Sequence, residues 1–430
     1  MTGMGCQWLG MGLQLMQISE FAKSMLRSAE VLKPYKIDLL KVLKEGKTEP
    51  QKERNITASF VGICAIQIAL IDVLRSLNVK ADGIVGHSTG ELACAYADGC
   101  CTAEQTILAA YFRGYSVENA NLPQGRMAAV GLPWEEVKKM CPKDIYAVCD
   151  NADDSVTISG LKEPLEKFVE SLKQKNIFAR MVDTHGYSFH CEHILPIVPT
   201  LRKAMNEIII DPKPRSERWI SSSYPKSEWD KQESKMASAE YFVHNLMSSV
   251  LFNDAVKMIP SDAIIIEIGP HFLLQSLLKR TVGPKALYFG LMKRNEENNI
   301  KFLMESLGTL YVEGVNPKIE RLYPPVKFPV PRGTPMISDL IRWNHSESYF
   351  VPKYSSKSRV FSLEFHFFSN DSYILDHKID RKVLFPATGF IYLAWEALAS
   401  KKEKQFEQVP IVIERFKVHK PVIMGQQCKH

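Results

Sequence analysis

One short segment constrains the fold of this chain more than any other. Gly86-His87-Ser88-Thr89-Gly90-Glu91 follows the apolar pair Ile84-Val85 and precedes Leu92-Ala93-Cys94-Ala95-Tyr96, which reads as a helix. A G-x-S-x-G sequence set between a strand and a helix predicts a nucleophile elbow in an α/β sheet. Its glycines are expected to permit a strained turn that exposes the Ser88 hydroxyl. The helix beginning just after it points N–H groups and its positive dipole end at the same spot, which suits an oxyanion. The competing reading is an ordinary glycine-rich turn between strand and helix.

With 430 residues the chain is long enough for two or three domains with real cores. Its 45% hydrophobic and 24% charged residues exclude a fibre or a disordered polypeptide. The net charge of +6 is scattered, without a Lys/Arg run or interleaved aromatics, so no nucleic-acid partner is expected. A mildly basic surface suits phosphates or an acidic carrier domain. The nine cysteines lack metal-type spacing and fit a reduced, cytoplasmic protein with no metal site. No secretory leader is evident, and the most apolar stretch, 60–74, contains Gln67 and Asp72. It reads as a buried helix too short to cross a bilayer, so no membrane insertion is expected.

Along the chain, residues 1–122 alternate helical segments with the strand Ile84-Val85. From about 125 to 190 the pattern is strand (127–131), helix (133–140), strand (156–159), helix (163–175), strand (178–182), which suits a small ferredoxin-like insert. The run 264–268 reads as a buried parallel strand followed by a loop and a helix. Residues 323–335 are Pro-rich and aperiodic, an extended linker. A further domain begins with a strand-like stretch near Phe361 and an apolar helix up to Trp395.

A serine nucleophile needs a base. His87 is too close along the elbow to serve, and His185, His190 and His193 cluster in HGYSFHCEH. Position alone does not choose among these three, and a metal site there lacks a spaced partner pair elsewhere.

Several segments together carry a resemblance. GMGCQW (3–8), GHSTGE (86–91), AAYFRG (109–114), VTISG (156–160), SFHC (188–191) and EIGPHFLLQ (267–275) resemble the malonyl/acetyl transferase region of animal-type, insect-like multifunctional fatty acid synthases, in order and spacing over roughly 3–320. The resemblance implies a hydrolase-like α/β parallel-sheet core with the ferredoxin-like insert, an acyltransferase domain over 1–315 and a linker over 316–354. It implies that Ser88 forms an acyl-ester and that His190 is its general base, oriented by a backbone carbonyl matched to Asn245. Gln7 and Thr89 would supply oxyanion N–H groups, Arg113 would clamp a malonyl carboxylate, and Phe189 would line the acyl pocket. The implied donor is a coenzyme A thioester and the acceptor a phosphopantetheine thiol on an acyl carrier protein, beside other synthase domains; no cofactor is held by the chain itself. A serine hydrolase or thioesterase using the same elbow, and a non-catalytic truncated synthase fragment, are the alternatives.

The sequence also departs from the family. An apolar strand usually precedes the GMG turn, Thr89 replaces a bulky aliphatic, and Ser249 replaces a proline. Residues 355–430 resemble the start of a dehydratase, an incomplete hot-dog (α+β) segment. There His377 and Pro386 match the family motif, whereas Arg381 and Ala387 stand where glycines are expected. Without the second hot-dog half, no dehydratase activity is expected, and the segment is not expected to complete its own core.

Overall fold

The computed structural model describes residues 1–46, 55–323, 328–329, 333, 337–342, 344 and 370–425. The chain divides into two compact units, Met1–Lys327 and Phe328–His430.

The first unit is built around one helix. α1 (Ser19–Leu32) and α2 (Leu39–Glu45) pack on α3 (Ile56–Ser76), which starts where the Asn55 side chain accepts a hydrogen bond from Ala58 N (2.9 Å). α3 is longer than expected and is long and apolar enough to cross a membrane, yet 94% of its most apolar window is buried inside the protein. It is the core's central helix. β1 (Ile84–Val85) leads through the elbow into α4 (Gly90–Asp98), and α5 (Ala103–Glu118) follows behind a Thr102/Gln105 capping box. α5 crosses α3 at Gly114, where a Cβ would come within 2.5 Å of the Thr57 Cα.

The insert is β2 (Gly125–Val130), α6 (Trp134–Met140), β3 (Ile145–Ala152), β4 (Ser155–Leu161), α7 (Lys162–Gln174) and β5 (Ala179–Val182). Its antiparallel order β5-β2-β4-β3 is ferredoxin-like, with a small core of its own around Val130, Ile158, Leu165 and Val169. The sequence reading missed β3, whose Asp150 and Asn151 lower its strand character. Pairing on both edges overrides that propensity.

The chain then returns to the first unit's main body with α8 (Val198–Ile208), a short antiparallel pair of β6 (Lys213–Pro214) and β8 (Met236–Ala237), and between them β7 (Trp219–Ile220) and α9 (Gln232–Lys235). α10 (Ala239–Met247) runs into β9 (Val250–Leu251), which joins the insert sheet parallel to β3 and so stitches insert to core. α11 (Phe252–Val256), β10 (Ile264–Glu267), α12 (Gln275–Val282), β11 (Leu287–Gly290) and α13 (Asn299–Val312) complete the unit.

The parallel core appears as two pairs, β1 with β7 and β10 with β11. Met1 and Thr2 bridge them. The Met1 amine donates to Val85 O (2.7 Å), His87 N to Met1 O (3.1 Å) and Thr2 N to Ile268 O (3.2 Å), while Gln67 Nε2 of α3 holds Thr2 O (2.8 Å). The parallel strand expected at 264–268 and the helix after it are present, but burial is confined to the strand's end: Ile264 is 36% exposed and Ile265 and Ile266 are half-buried, whereas Glu267 and Ile268 are buried.

In the second unit, β12 (Lys378–Ile379) and β13 (Lys382–Val383) form a hairpin through Asp380 and Arg381, and α14 (Ala387–Lys401) follows. Both turn residues are left-handed (φ +47° and +63°), the conformation of a two-residue type I′ turn. α14 buries only Glu396 and Ala399, so among the described residues its apolar side chains lack a core. Among the described residues of this unit there are a hairpin and a helix, without the long sheet of a hot-dog fold. The strand-like stretch near Phe361 and most of the Pro-rich linker lie outside the described residues.

Candidate active site

The elbow holds Ser88 at φ +52°, a left-handed conformation that costs a non-glycine residue about 1–2 kcal/mol. The flanking glycines serve differently from the expectation. Neither Gly86 nor Gly90 is left-handed; a Cβ on Gly86 would stand 2.7 Å from Glu91 N, and one on Gly90 2.5 Å from Met1 O. They make room for close backbone packing while the serine itself takes the strain.

Of the three clustered histidines, the fold brings one to the nucleophile. His190 Nε2 lies 2.8 Å from Ser88 Oγ, whereas His185 bonds to Ser59 Oγ (2.9 Å) and His193 to Asp144 O (3.2 Å). His190 is also left-handed (φ +63°), so nucleophile and base both sit on strained backbone. His87 is occupied elsewhere, donating from Nε2 to Asn151 Oδ1 of β3 (2.8 Å) and tying elbow to insert.

Two backbone carbonyls face the ring: His190 Nδ1 donates to Ser248 O (2.9 Å), and the backbone of Asn245, the matched position, also bonds to the imidazole. The reason lies in helix geometry. Asn245 lies in the last turn of α10 and Ser248 caps it, and carbonyls there have no partner within the helix. Asn245 contributes its side chain as well, accepting from Arg113 Nη1 (2.7 Å) and donating Nδ2 to Ser223 Oγ (2.9 Å) and Ser88 O (3.3 Å). Burial, reinforced by the Arg113 guanidinium, draws the His190 imidazole down to about 3, while the Ser248 bond opposes the shift. At neutral pH the ring is an unprotonated acceptor for the Ser88 proton.

Arg113, on α5, is 1% exposed. Its Nε and Nη2 have no partner among the described residues, and burial draws the guanidinium down to about 9. The Phe60 ring lies 5.6 Å from the guanidinium and meets Phe189 edge-on at 5.9 Å. Both rings line the cavity around Ser88, with Met4 and Leu246 from the core and Met127, Thr157 and Val182 from the insert sheet. Thr89 directly follows Ser88, and Gln7 lies three residues beyond the cavity-lining Met4; the backbone N–H of neither meets an acceptor among the described residues. The Gln7 segment is braced, since Arg294 Nη2 donates to Gly5 O (2.8 Å) and Gln7 O (3.0 Å). His377 lies in the second unit, with Nδ1 against Leu384 O (2.9 Å).

Sequence reasoning missed Glu91. Its fully buried carboxylate accepts from Ser222 N (2.8 Å), Trp219 Nε1 (3.1 Å) and Tyr241 OH (2.5 Å), joining the elbow helix to β7 and α10. Burial pushes that carboxyl up and the donors oppose it. Its position immediately after the second elbow glycine was the only available sign. Ser248 was findable from the rule that free carbonyls gather at helix C-termini.

A serine hydroxyl within hydrogen-bond reach of a histidine that a backbone carbonyl orients is an arrangement for acyl chemistry. Known proteins agree on the class. The chain is 31% identical over 448 residues to the highly reducing polyketide synthase sphB of Aspergillus fumigatus, covering 92% of this chain and 17% of that protein. It is 33% identical over 341 residues to the highly reducing polyketide synthase xilA of Penicillium crustosum, covering 73% and 14%. The chain thus spans about a sixth of the length of these curated relatives, which are polyketide synthases rather than the animal fatty acid synthases its motifs resemble. Among solved structures, the acyltransferase domain of the second salinomycin polyketide synthase module superposes with a TM-score of 0.64 at 22% identity over 75% of each chain. FabD of Acinetobacter baumannii gives 0.60 at 19% identity over 73% of this chain and 97% of that one. The family model described as acyl transferase domain matches residues 1–317, the span that carries the elbow, the insert and the Ser88–His190 pair, and the chain belongs to that family.

Proposed function

We propose that this chain transfers a malonyl group, or an acetyl group, from coenzyme A through an ester on Ser88 to the phosphopantetheine thiol of an acyl carrier protein. We place it in a cytoplasmic multidomain synthase, of the polyketide type to which its relatives belong or of the fatty-acid type its motifs resemble. The observation that carries the reading is the buried Arg113, whose Nε and Nη2 stand unpartnered near the Ser88–His190 pair. A planar guanidinium with two free N–H groups is matched by one ligand group above others, a carboxylate bound bidentately.

In the first half-reaction Ser88 Oγ attacks the thioester carbonyl as its proton passes to His190 Nε2. The oxyanion takes hydrogen bonds from the Gln7 and Thr89 N–H groups. Collapse expels the coenzyme A thiolate, which receives the proton from His190. In the second half-reaction the carrier thiol gives its proton to His190 and attacks the ester, and Ser88 leaves reprotonated. The Ser248 carbonyl stabilises the imidazolium as a dipole, without the full charge of an aspartate. The chain itself contributes no resident cofactor to this scheme.

Intact-protein mass spectrometry after incubation with malonyl-CoA tests the reading. Wild type is expected to gain a malonyl adduct and Ser88→Ala none. Discharge of that adduct by carrier protein rather than water separates transfer from a thioesterase or other serine hydrolase. Rapid hydrolysis without transfer would overturn the proposal, as would a cooperatively folded wild type that never loads, which would favour a non-catalytic fragment.

A further inference from the structure

The Ser248 carbonyl that orients His190 is itself held by a second histidine. His244 lies in the last turn of α10, its ring stacked on Tyr224 (centroids 3.9 Å apart, planes 14°). Its Nε2 lies 3.0 Å from Ser223 O, and a carbonyl only accepts, so Nε2 carries the proton. That leaves Nδ1 as an acceptor, and it lies 3.0 Å from Ser248 Oγ, which must donate. Burial draws the His244 imidazole below its ordinary value, consistent with this neutral tautomer. A continuous chain of donors and acceptors results. His244 donates to Ser223 O and accepts from the Ser248 hydroxyl; the Ser248 carbonyl accepts from His190, which accepts from Ser88.

Ser248 needs such a brace. It leaves the helix in extended backbone (φ −97°, ψ 164°), and its ψ sets where the carbonyl points. A proline at 249 would confine Ser248 to that region by steric conflict, but residue 249 is serine and imposes nothing. Apart from helix continuation through Ser248 N to His244 O (2.8 Å), the Nδ1–hydroxyl bond is the contact that selects this conformation on the helix side.

We propose that His244 is a positioning residue for catalysis, which fixes the Ser248 carbonyl against His190 through the Ser248 side chain. The proposal rests on the reading of His190 as general base. His244 touches no reacting atom; it acts through geometry two hydrogen bonds away.

The test is single-turnover acetylation of Ser88 from acetyl-CoA, followed by intact-protein mass spectrometry, in wild type, His244→Phe, Ser248→Ala, the double variant, and His244→Phe/Ser249→Pro. Phenylalanine keeps the stacking surface on Tyr224 and loses both hydrogen bonds; alanine keeps the Ser248 carbonyl and loses only the hydroxyl. Each single variant is expected to acylate about tenfold slower at saturation, with the half-saturating acetyl-CoA concentration unchanged. The double variant is expected to be no slower than the slower single variant, because both remove one shared contact. Ser249→Pro is expected to restore at least half of the wild-type rate to His244→Phe by confining Ser248 directly. Single variants within twofold of wild type would overturn the proposal. So would a double variant about a hundredfold slower, which would mean independent effects, or failure of the proline to rescue. If wild type itself never acylates, the reading of Ser88 and His190 falls, and this one with it; wild type that acylates beside an unimpaired His244→Phe removes this proposal alone.

Discussion

Replacing Arg113 by methionine should separate what the site needs from what the fold needs. The guanidinium is 1% exposed, makes one hydrogen bond to Asn245 Oδ1, and leaves Nε and Nη2 unpartnered. Burial holds its ionisation near 9 rather than in the ordinary arginine range, so keeping it charged at neutral pH costs roughly 4–5 kcal/mol. Methionine removes that charge and fills much of the volume, but strands Asn245 Oδ1 at a cost of about 1–3 kcal/mol. The variant is therefore expected to be more stable than wild type by about 1–4 kcal/mol, as when apolar residues replace other costly buried charges. A cation whose folded-state value lies below its unfolded one is destabilising while charged. The advantage of the variant should thus be full at neutral pH and shrink as pH rises above about 9. The functional effect has the opposite sign. Two charge-assisted bonds to a malonyl carboxylate, each worth about 1.5–3 kcal/mol, are lost. Malonyl loading of Ser88 should fall by about 10²–10⁴-fold while acetyl loading stays within about threefold. Urea unfolding of the larger unit followed by tryptophan fluorescence, with intact-mass loading assays alongside, measures both. A variant that unfolds more easily than wild type, or that still loads malonyl, would refute the argument.

Other consequences concern pH, the buried carboxylate and the second unit. His190 is held near 3, below its unfolded value, so folding stability is unaffected by it above about 6.5 and falls by about 1.4 kcal/mol per pH unit below that, down to about 3. Ser88 loading should accordingly stay flat from pH 8 to below 6 and then fail together with the melting transition; a loading profile that titrates near 6.5 in folded protein would contradict this. Glu91→Leu strands the donors Trp219, Ser222 N and Tyr241, and should cost about 3–5 kcal/mol in urea unfolding. An effect below 1 kcal/mol would remove Glu91 as the link between elbow helix, β7 and α10. In the second unit, Arg381→Gly relieves a left-handed non-glycine residue and should stabilise the hairpin by about 1 kcal/mol, seen as slower proteolysis of that unit.

The sequence by itself determined the elements whose signals are local. The strand–elbow–helix at Ser88, both insert helices and three of the four insert strands were readable from glycine spacing and hydrophobic period, because each reflects contacts between residues close along the chain. The rest of the site list, Arg113 and His190 included, came from the family resemblance and not from the residues' own pattern, which left the base open among three histidines. Tertiary structure decided matters that depend on distant partners. β3 exists because β4 and β9 pair with its two edges despite its polar residues. His190, and neither of the other two histidines, meets Ser88, 102 residues away, through the turn at His185-Gly186 and its own left-handed backbone. The Ser248 carbonyl joined that of Asn245 at the His190 ring because a helix end leaves its last carbonyls free, and the exact end of α10 is set by packing and by β9. The Ser88 elbow was predicted to owe its strain to glycine. Instead the nucleophile holds the left-handed backbone while Gly86 and Gly90 admit the neighbouring chain, a division of labour written in close packing rather than in sequence.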